Sequence, residues 1–481
     1  MKLQNMDLFK QLCYVDGNWV GEAAEQQPVY NPATGQKIGQ VPVFGREEAE
    51  QCIAKANLAQ KEWRSLTAKA RSNLLKKWFE LIQENSDDLA TIITTEQGKS
   101  IHEAKGEVAY AASFIEWFAE EAKRAYGETI PSHKPDARIV VTKEPVGVVG
   151  AITPWNFPAA MITRKCGPAL AAGCTVVLKP APDTPFTALA LGALAEEAGI
   201  PPGVFNILTG DAAGIGGAFT DSKIVRKVSF TGSTQVGKLL MSQSSGSVKK
   251  LSLELGGNAP FIVFEDADLD AAVQGTLIAK LRNAGQTCVC ANRIFVHRSV
   301  QENFVSKLKA AFETLKVGDG LNPDNQIGSM INQAGLDKVY DHLNDALDKG
   351  ANLVLGSKEK PTNLFCSPMI VTGMTDDMRV AHEETFGPLA AIFTFDTEEE
   401  VIERANQTDA GLVAYFYSQS LRRSWQVSEQ LEAGMIGINE GLISTEVAPF
   451  GGVKESGLGR EGARQGIEDY LETKYMLMGG L

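Results

Sequence analysis

The 481-residue sequence has few of the residues that build disulfide frameworks or structural metal sites. It contains seven cysteines and five histidines, the cysteines are scattered along the chain, and no two of them form a CxxC pair. An odd number of scattered cysteines excludes a disulfide scaffold, and the lack of Cys/His clusters argues against structural zinc. We therefore expect a reducing compartment, the cytoplasm, and no metal.

Long apolar runs and a surplus of basic residues are also missing. No stretch reaches the about 18 apolar residues of a membrane-spanning helix, and the opening MKLQNMDLFKQL lacks the apolar core of a signal peptide. The formal net charge of −13 argues against a general nucleic-acid or anionic-membrane surface. It leaves room for an anionic small-molecule substrate in a locally basic pocket, so we expect neither nucleic acid nor membrane as a partner.

What is present is the apolar patterning of an α/β protein with more than one subdomain. Helical periodicity occupies 46–63, 68–86 and 107–125, and a strand follows at 138–143. From residue 145, short apolar strands alternate with helices, which is typical of a parallel sheet covered on both faces. The predicted strands are 148–152, 175–178, 204–208, 228–230 and 251–255, and the predicted helices are 159–172, 185–198, 212–219 and 234–242.

A second series of the same kind begins beyond residue 257. It has strands at 260–264 and 293–297 and helices at 268–284 and 299–314, so we place a domain boundary near 256–257. The segment 468–478 is predicted to be a strand that reaches another element or another subunit.

Two motifs carry candidate catalytic side chains. In GQTCVCANR (285–293), Cys288 lies in a polar, glycine-containing loop after a helix, a place suited to a nucleophile, although a loop cysteine without a role has the same signature. In LELGG (253–257), leucines flank Glu254, which favours a raised pKa and a general-base role near neutral pH. The alternative is a strand-end glutamate that faces solvent or binds a backbone amide.

Three further motifs follow predicted strands, at the edge where open α/β sheets bind ligands. In TPWNFP (153–158), a rigid loop presents Asn156, whose amide can stabilise an oxyanion or simply make a turn. SFTGSTQVG (229–237) can cradle a pyrophosphate at a helix N-terminus or act as a plain helix cap. In LKPAPDTP (178–185), Lys179 can reach a ribose or a phosphate or remain solvated.

Together, and in their order along the chain, the five motifs resemble those of the aldehyde dehydrogenase family. The resemblance continues through EETFGP (383–388) and PFGGVKESGLGRE (449–461) and spans roughly residues 14–475. It implies an α/β aldehyde dehydrogenase fold with a Rossmann-like cofactor domain (1–125 and 147–256) and an α/β catalytic domain (257–462). It also implies a small β oligomerisation segment (126–146 and 463–481) and a homo-oligomer, either a dimer or a tetramer.

The resemblance assigns roles to individual residues. Cys288 is the implied nucleophile, which forms a thiohemiacetal and then a thioester; Glu254 is the implied base for the hydrolytic water; and Asn156 with the Cys288 amide is the implied oxyanion site. The implied cofactor-binding residues are Trp155, Lys179, Pro182, Gly232, Ser233, Leu255, Glu384 and Phe386.

Within the family, the sequence is most similar to the succinate-semialdehyde dehydrogenases. The similarity lies in MITRKCGPALAAG (161–173), LRNAGQTCVCANR (281–293) and GLISTEVAPFGG (441–452). It implies that Arg164, Arg282 and Ser444 bind the far carboxylate of the substrate, which agrees with the bidentate pairing of guanidinium and carboxylate groups. Glutarate semialdehyde stays open as an alternative, because one methylene discriminates by only about 1–3 kcal/mol.

The resemblance also bears on the choice between NAD and NADP. Many NAD-preferring relatives carry Glu three residues after the position of Lys179, and NADP-preferring members of the subfamily tend to carry Ser there. This chain has Pro182, which neither repels a 2′-phosphate nor donates to it, followed by Asp183. Because Lys179 is available for a phosphate, we predict a preference for NADP with some use of NAD.

The role of Cys290 remains open, and three other classes of protein remain to be weighed. Cys290 is either a bystander or a resolving thiol that captures oxidised Cys288 as a disulfide. A CoA-acylating enzyme would lack a glutamate at position 254, and a cysteine hydrolase would need an activating histidine, for which His297 is the nearest in sequence. A retired scaffold that serves binding or structure would have lost Cys288, Glu254 or Asn156, and all three are present.

Overall fold

The N-terminal part combines short hairpins with a group of long helices. The computed structural model describes residues 1–481. The elements up to residue 145 are β1 (Cys13–Val15), β2 (Asn18–Val20), β3 (Gln26–Tyr30), β4 (Lys37–Pro42), α1 (Arg46–Ser65), α2 (Ala68–Glu84), α3 (Ser86–Gln97), α4 (Ile101–Glu121), β5 (Glu128–Ile130) and β6 (Ala137–Pro145).

Helix α4 begins earlier than its apolar periodicity predicts. The predicted helix covers 107–125, whereas the observed one covers Ile101–Glu121. Ser100 is its N-cap, and the Ser100 hydroxyl accepts a hydrogen bond from the backbone N–H of Glu103 at 3.3 Å. A cap of this kind fixes the start of a helix whatever the apolar pattern of its first turns.

The first large sheet is mainly parallel and has helices on both faces. Its elements after residue 145 are β7 (Val148–Ile152), α5 (Ala160–Ala172), β8 (Thr175–Lys179), α6 (Pro185–Glu197), β9 (Phe205–Ile207), α7 (Ala212–Asp221), β10 (Val225–Thr231), α8 (Thr234–Ser244) and β11 (Lys250–Glu254). The strand order is β2-β1-β9-β8-β7-β10-β11, followed by a short strand from the C-terminal part of the chain. Strands β9, β8, β7, β10 and β11 are parallel, so their carboxyl ends lie along one edge.

The remaining chain forms the second large sheet and returns to the first. Its elements are β12 (Ala259–Val263), α9 (Leu269–Leu281), β13 (Ala291–His297), α10 (Gln301–Phe312), α11 (Gln333–Asp348), β14 (Asn352–Leu355), β15 (Met369–Met374), α12 (Arg379–His382), β16 (Leu389–Phe395), α13 (Glu398–Asn406), β17 (Ala410–Gly411), β18 (Val413–Tyr417), α14 (Leu421–Gln430), β19 (Met435–Ile438), β20 (Val453–Lys454), β21 (Gly457–Leu458), α15 (Gln465–Glu468) and β22 (Leu471–Gly479). The sheet order is β14-β15-β16-β13-β12-β18-β19, and only β14 is antiparallel.

Two features complete the architecture. Strand β21 pairs with β11 and so extends the first sheet, and β22 pairs along its whole length with β6 in a three-stranded antiparallel sheet that also contains β5. Each large sheet has its own apolar core. The predicted α/β fold is confirmed. None of the helices combines the length and the apolar character needed to cross a bilayer.

The segment before β13 differs from its prediction in a way that matters for the site. The predicted helix 268–284 ends at Leu281, and residues 282–285 form a short 3-10 turn. Asn283 and Ala284 have φ angles of 52° and 54°, a left-handed conformation that no α-helix contains. The chain therefore turns sharply just before Cys288.

Candidate active site

Cys288 lies where two cavities meet between the large sheets. The wide cavity, of about 220 Å³, is lined by Pro154, Trp155, Asn156, Thr231, Gly232, Ser233, Leu255, Gly256, Cys288, Lys338, Glu384 and Phe386. The narrow pocket is lined by Tyr110, Phe157, Met161, Arg164, Arg282, Thr287, Cys288, Val289, Ser444 and Phe450. Cys288 is the residue that the two linings share, so a group bound in either cavity reaches its thiol.

The Cys288 thiol is protonated at rest. The residue is partly exposed, but burial of its thiol raises the pKa to about 12. The nearby Arg164 guanidinium lowers this pKa, but by less than burial raises it. Because the thiolate is the nucleophilic form of cysteine, attack on a substrate requires that this proton be taken up as the bond forms.

Asn156 is held in place by contacts on its backbone carbonyl and its side chain. The carbonyl accepts hydrogen bonds from Lys99 Nζ at 2.7 Å and from Asn283 Nδ2 at 3.0 Å. Its own Nδ2 donates to the carbonyl of Gln286 at 3.2 Å. An amide nitrogen has two hydrogens, so one remains for a ligand in the wide cavity. Since Gln286 lies in the segment that leads to Cys288, this bond joins the loop of Asn156 to the loop of Cys288.

A fully buried ion pair supports the Asn156 loop, and the sequence analysis missed it. Lys99 and Glu107 have no exposed side-chain surface, and their charged atoms are 2.6 Å apart. The second oxygen of Glu107 accepts from the backbone N–H groups of Ala159 and Ala160 at 2.8 and 3.3 Å, where α5 begins. The only trace in the sequence is a Lys and a Glu eight residues apart, which is too common a pattern to single out.

Glu254 ends β11 beside a second buried acid. Burial and the charge of Glu461 raise the pKa of Glu254 well above its usual value. Burial also acts on Glu461, but Lys165 Nζ and Arg164 Nε each lie 2.5 Å from its carboxylate, and the net effect is a lowered pKa. Glu254 therefore holds the proton of this pair and Glu461 the negative charge. Lys165 and Glu461 are functional candidates that the sequence analysis did not find.

The Glu254 carboxyl is set back from both cavities. It lies against the backbone of Gly451, where an added Cβ would be 3.0 Å from Glu254 Oε1. Its Oε2 is buried and has no hydrogen-bond partner.

Six of the eight predicted cofactor residues line the wide cavity: Trp155, Gly232, Ser233, Leu255, Glu384 and Phe386. The Trp155 and Phe386 rings meet edge to face with centroids 5.5 Å apart, and Ser233 caps α8. The Glu384 carboxylate accepts from Gly257 N–H at 3.3 Å, and burial raises its pKa to about 7. Lys338, on α11, belongs to the same lining but was not predicted.

The other two predicted cofactor residues lie outside that lining. Lys179 ends β8 and is buried, with its Nζ donating to the Pro180 carbonyl at 3.1 Å, and burial lowers its pKa to about 8. Pro182 is exposed on the loop that follows. Both lie along the sheet edge that also bears the wide cavity, one strand beyond β7.

The three predicted substrate residues all line the narrow pocket, but their charges are not equivalent. Arg164 is paired with Glu461 and stacks over the Phe450 ring at 4.0 Å. Arg282 lies over the Phe157 ring at 4.7 Å, donates to Ser444 Oγ at 3.4 Å, and pairs with no carboxylate. Arg282 is thus the guanidinium of this pocket that has no carboxylate within 4.0 Å, although Glu103 lies near enough to interact with its charge.

Residues 19–476, nearly the whole chain, match the model of the Aldehyde dehydrogenase family. The chain belongs to that family. It is 59% identical to a protein named succinate semialdehyde dehydrogenase from Acinetobacter baylyi and 57% identical to a glutarate-semialdehyde dehydrogenase from Pseudomonas aeruginosa. Each alignment covers 100% of this chain and 100% of the relative. A crystal structure of an Escherichia coli NADP-dependent enzyme is similar with a TM-score of 0.98 and 56% identity, covering 99% of this chain and 100% of that one. The family assignment made from the motifs is confirmed.

Cys290 points away from the meeting point of the two cavities of this aldehyde dehydrogenase. Its thiol is buried, lies 3.4 Å from Lys280 Nζ, and is absent from both linings. A disulfide with Cys288 requires this thiol to leave Lys280 and the loop to bend, because an extended pair with one residue between sits near the limit of about 7 Å between Cα atoms.

Removing the charges beneath the Asn156 loop should slow the first turnover of aldehyde oxidation. In Lys99→Met/Glu107→Gln both charges disappear together, so neither member of the pair is left behind as an unpaired buried charge. The Asn156 carbonyl loses an anchor, and we expect a fall of about tenfold or more in the single-turnover rate, since displacements near 1 Å can cost about 100-fold. The exposed Lys105→Met on the same helix is the control. An unchanged rate in a folded double variant would refute this role.

The redox role of Cys290 stays a prediction with a direct test. If Cys290 resolves oxidised Cys288, mild peroxide should inactivate the enzyme, dithiothreitol should restore it, and a 288–290 linked peptide should appear in the mass spectrum. Cys290→Ala should then progress to irreversible oxidation, whereas Cys366→Ala, at a buried site elsewhere, should behave as wild type. Full recovery of Cys290→Ala would make Cys290 a bystander.

Proposed function

We propose that this chain oxidises succinate semialdehyde to succinate with NADP or NAD. The observation that carries the proposal is the unpaired guanidinium of Arg282 in the narrow pocket, opposite a wide cavity that shares only Cys288 with it. A short aldehyde with a far carboxylate matches this arrangement, because its charged end needs a fixed cation and its aldehyde must reach the thiol.

Glutarate semialdehyde is the second candidate substrate. A 57% identical relative is named for it, and one methylene commonly changes discrimination by only about 1–3 kcal/mol. Both compounds place a carboxylate at the end opposite the aldehyde, so the same guanidinium groups serve either one. The 59% identity to a succinate semialdehyde dehydrogenase supports the shorter substrate as the first choice.

In the proposed reaction, the Cys288 sulfur bonds to the aldehyde carbon and the thiol proton passes to a base or to water. The oxygen of this thiohemiacetal receives hydrogen bonds from Asn156 Nδ2 and the Cys288 amide. Loss of hydride from the carbon and of a proton from the oxygen leaves a thioester. Glu254, once ionised, takes a proton from water as the water oxygen adds to the thioester carbon. The C–S bond then breaks, the new acid gives its proton to the sulfur and leaves as the carboxylate, and Glu254 releases its own proton to solvent.

A nicotinamide cofactor supplies the hydride acceptor, and the wide cavity is suited to hold its reactive end. The cavity has two aromatic walls, the N-terminus of α8 and the Glu384 carboxylate, which suits ribose hydroxyls. Gly256 in its lining leaves the space open, since an added Cβ would lie 3.3 Å from Glu384.

We further propose that NADP is preferred over NAD. Lys179 pairs with no carboxylate, so its charge is free for a 2′-phosphate, and Pro182 does not repel one. The similar Escherichia coli structure is described as NADP-dependent. In this proposal Lys179 and Pro182 face the adenosine ribose, while the residues of the wide cavity face the nicotinamide.

The proposed division of labour follows the sheets. Residues 1–125 and 147–256 bind the cofactor, 257–462 carry the nucleophile and most of the substrate pocket, and 126–146 with 463–481 mediate assembly into a dimer or tetramer. The exposed apolar side chains of β22, among them Tyr475 and Met478, support an assembly role. All seven cysteines are free, which supports a reducing, cytoplasmic setting.

Glu461→Gln should move the pH dependence of thioester hydrolysis to lower pH. Below its pKa the Glu254 carboxyl holds a proton and cannot accept one, so hydrolysis should rise with pH through that pKa. Removing the Glu461 charge, and leaving Arg164 and Lys165 unopposed, lowers the pKa of Glu254. The rising part of the pH–rate profile is measured from the steady-state rate that follows the burst of reduced cofactor. The measurement is made at a temperature where the variant is folded, and Glu468→Gln is the control. If the rising part of the profile stays in place or moves to higher pH, the charge of Glu461 does not raise the pKa of Glu254.

Arg282→Ala should separate recognition of the carboxylate from catalysis. We expect kcat/KM for succinate semialdehyde to fall, with either cofactor, by a factor that corresponds to roughly 1.5–3 kcal/mol of lost transition-state binding, because a charge-assisted hydrogen bond is lost. Butanal, which has no carboxylate, should be nearly unaffected. Arg164→Ala should impair both substrates, since Arg164 also holds Glu461, and the exposed Arg298→Ala is the control. Equal losses on both aldehydes in Arg282→Ala would mean that Arg282 supports structure instead.

A further inference from the structure

Tyr110 places a phenol in the narrow pocket, and its hydroxyl has no hydrogen-bond partner there. The residue lies on α4, and its ring packs edge to face against Phe114 with centroids 4.9 Å apart. Its hydroxyl is buried, yet it makes no hydrogen bond. A buried polar group without a partner is costly, and in native proteins such a group calls for a specific explanation.

Two other buried tyrosines of this chain use their hydroxyls in hydrogen bonds to backbone carbonyls. Tyr415, on the far side of the Cys288 loop, donates to the Val289 carbonyl at 2.8 Å, and Tyr340 donates to the Glu359 carbonyl at 3.2 Å. Packing alone does not require the oxygen of Tyr110, because phenylalanine would fill the same space against Phe114. The hydroxyl therefore points to a partner that comes from outside the protein.

The pocket around Tyr110 holds other donors that are free or weakly used. Arg164 Nη2 is buried and makes no hydrogen bond, and Arg282 and Ser444 share one long contact of 3.4 Å. A carboxylate accepts hydrogen bonds at about four lone-pair sites. Two guanidinium groups, one serine hydroxyl and one phenol supply a donor for each of them.

We propose that the Tyr110 hydroxyl donates to the far carboxylate of the substrate and completes a four-donor site with Arg164, Arg282 and Ser444. The proposal rests on the proposed function, which it deepens by adding a neutral donor to the charged ones. Burial raises the pKa of Tyr110, so the phenol keeps its proton at neutral pH and acts as a donor only. Tyr110 is in this sense a specificity residue, because an uncharged aldehyde has no oxygen at that end to receive the bond.

The test is Tyr110→Phe, which removes one oxygen and leaves the ring. We expect kcat/KM for succinate semialdehyde to fall by about 10- to 100-fold, the range for a hydrogen bond to a charged group. The loss on butanal, which has no carboxylate, should be much smaller, and inhibition by the product succinate should weaken in parallel with the loss on succinate semialdehyde. The melting temperature should stay the same or rise, since an unsatisfied buried hydroxyl is lost. Tyr340→Phe, which removes a phenol that is bonded elsewhere, is the matched control.

The outcomes distinguish a failure of the role of Tyr110 from a failure of the proposed function on which it rests. If wild type prefers succinate semialdehyde over butanal and Arg282→Ala abolishes that preference while Tyr110→Phe keeps it, the role of Tyr110 is wrong and the proposed function stands. Equal losses on both aldehydes, or a lower melting temperature, would make Tyr110 a support of the pocket and also overturn the proposal. A wild type without any preference for the carboxylate would overturn both.

Discussion

The reactive centre depends on one buried ion pair, Lys99 with Glu107, because this pair holds the Asn156 loop from behind. Neither charge reaches water, so each is stable only while the other is in place. Lys99 donates a second hydrogen bond to the Asn156 carbonyl. The adjoining Gly98 carbonyl accepts from Ser329 N–H at 3.2 Å, in the part of the chain that belongs to the second sheet. A single interior segment thus positions the Asn156 loop and also contacts the part of the chain that forms the second sheet.

A second constraint is that the site shares its positive charge between two tasks. Arg164 and Lys165 are consecutive on α5, and both contact the Glu461 carboxylate, yet Arg164 also lines the narrow pocket. The charge that keeps Glu461 ionised is therefore the charge that a bound carboxylate would approach. Since Glu461 in turn raises the pKa of Glu254, occupancy of the pocket and the protonation of Glu254 are electrostatically linked.

The parts of this structure that could be predicted from the sequence are those with a local signature. Parallel strands read as apolar runs, and Cys288 stood out because a glycine-containing loop followed a helix. The start of α4 was misjudged because Ser100 acts through a cap, which apolar periodicity does not register. Lys99 and Tyr110 left no signature at all, since their roles arise from contacts between segments far apart in sequence. The resemblance to a family supplied roles for single residues but not the network that holds them.

The strand that carries Glu254 is clamped by the tail of the chain. At its beginning, Lys250 donates to the Leu471 carbonyl at 2.6 Å, and at its end Glu254 is paired in register with Gly457. Glu461 and the exposed strand β22 lie on that same short C-terminal stretch. A substitution in the tail that displaces β21 or the Leu471 carbonyl therefore also displaces the strand that carries Glu254. The exposed strand β22 and the buried strand end at Glu254 are thus parts of one mechanically continuous unit, although one faces outward and the other lies inside.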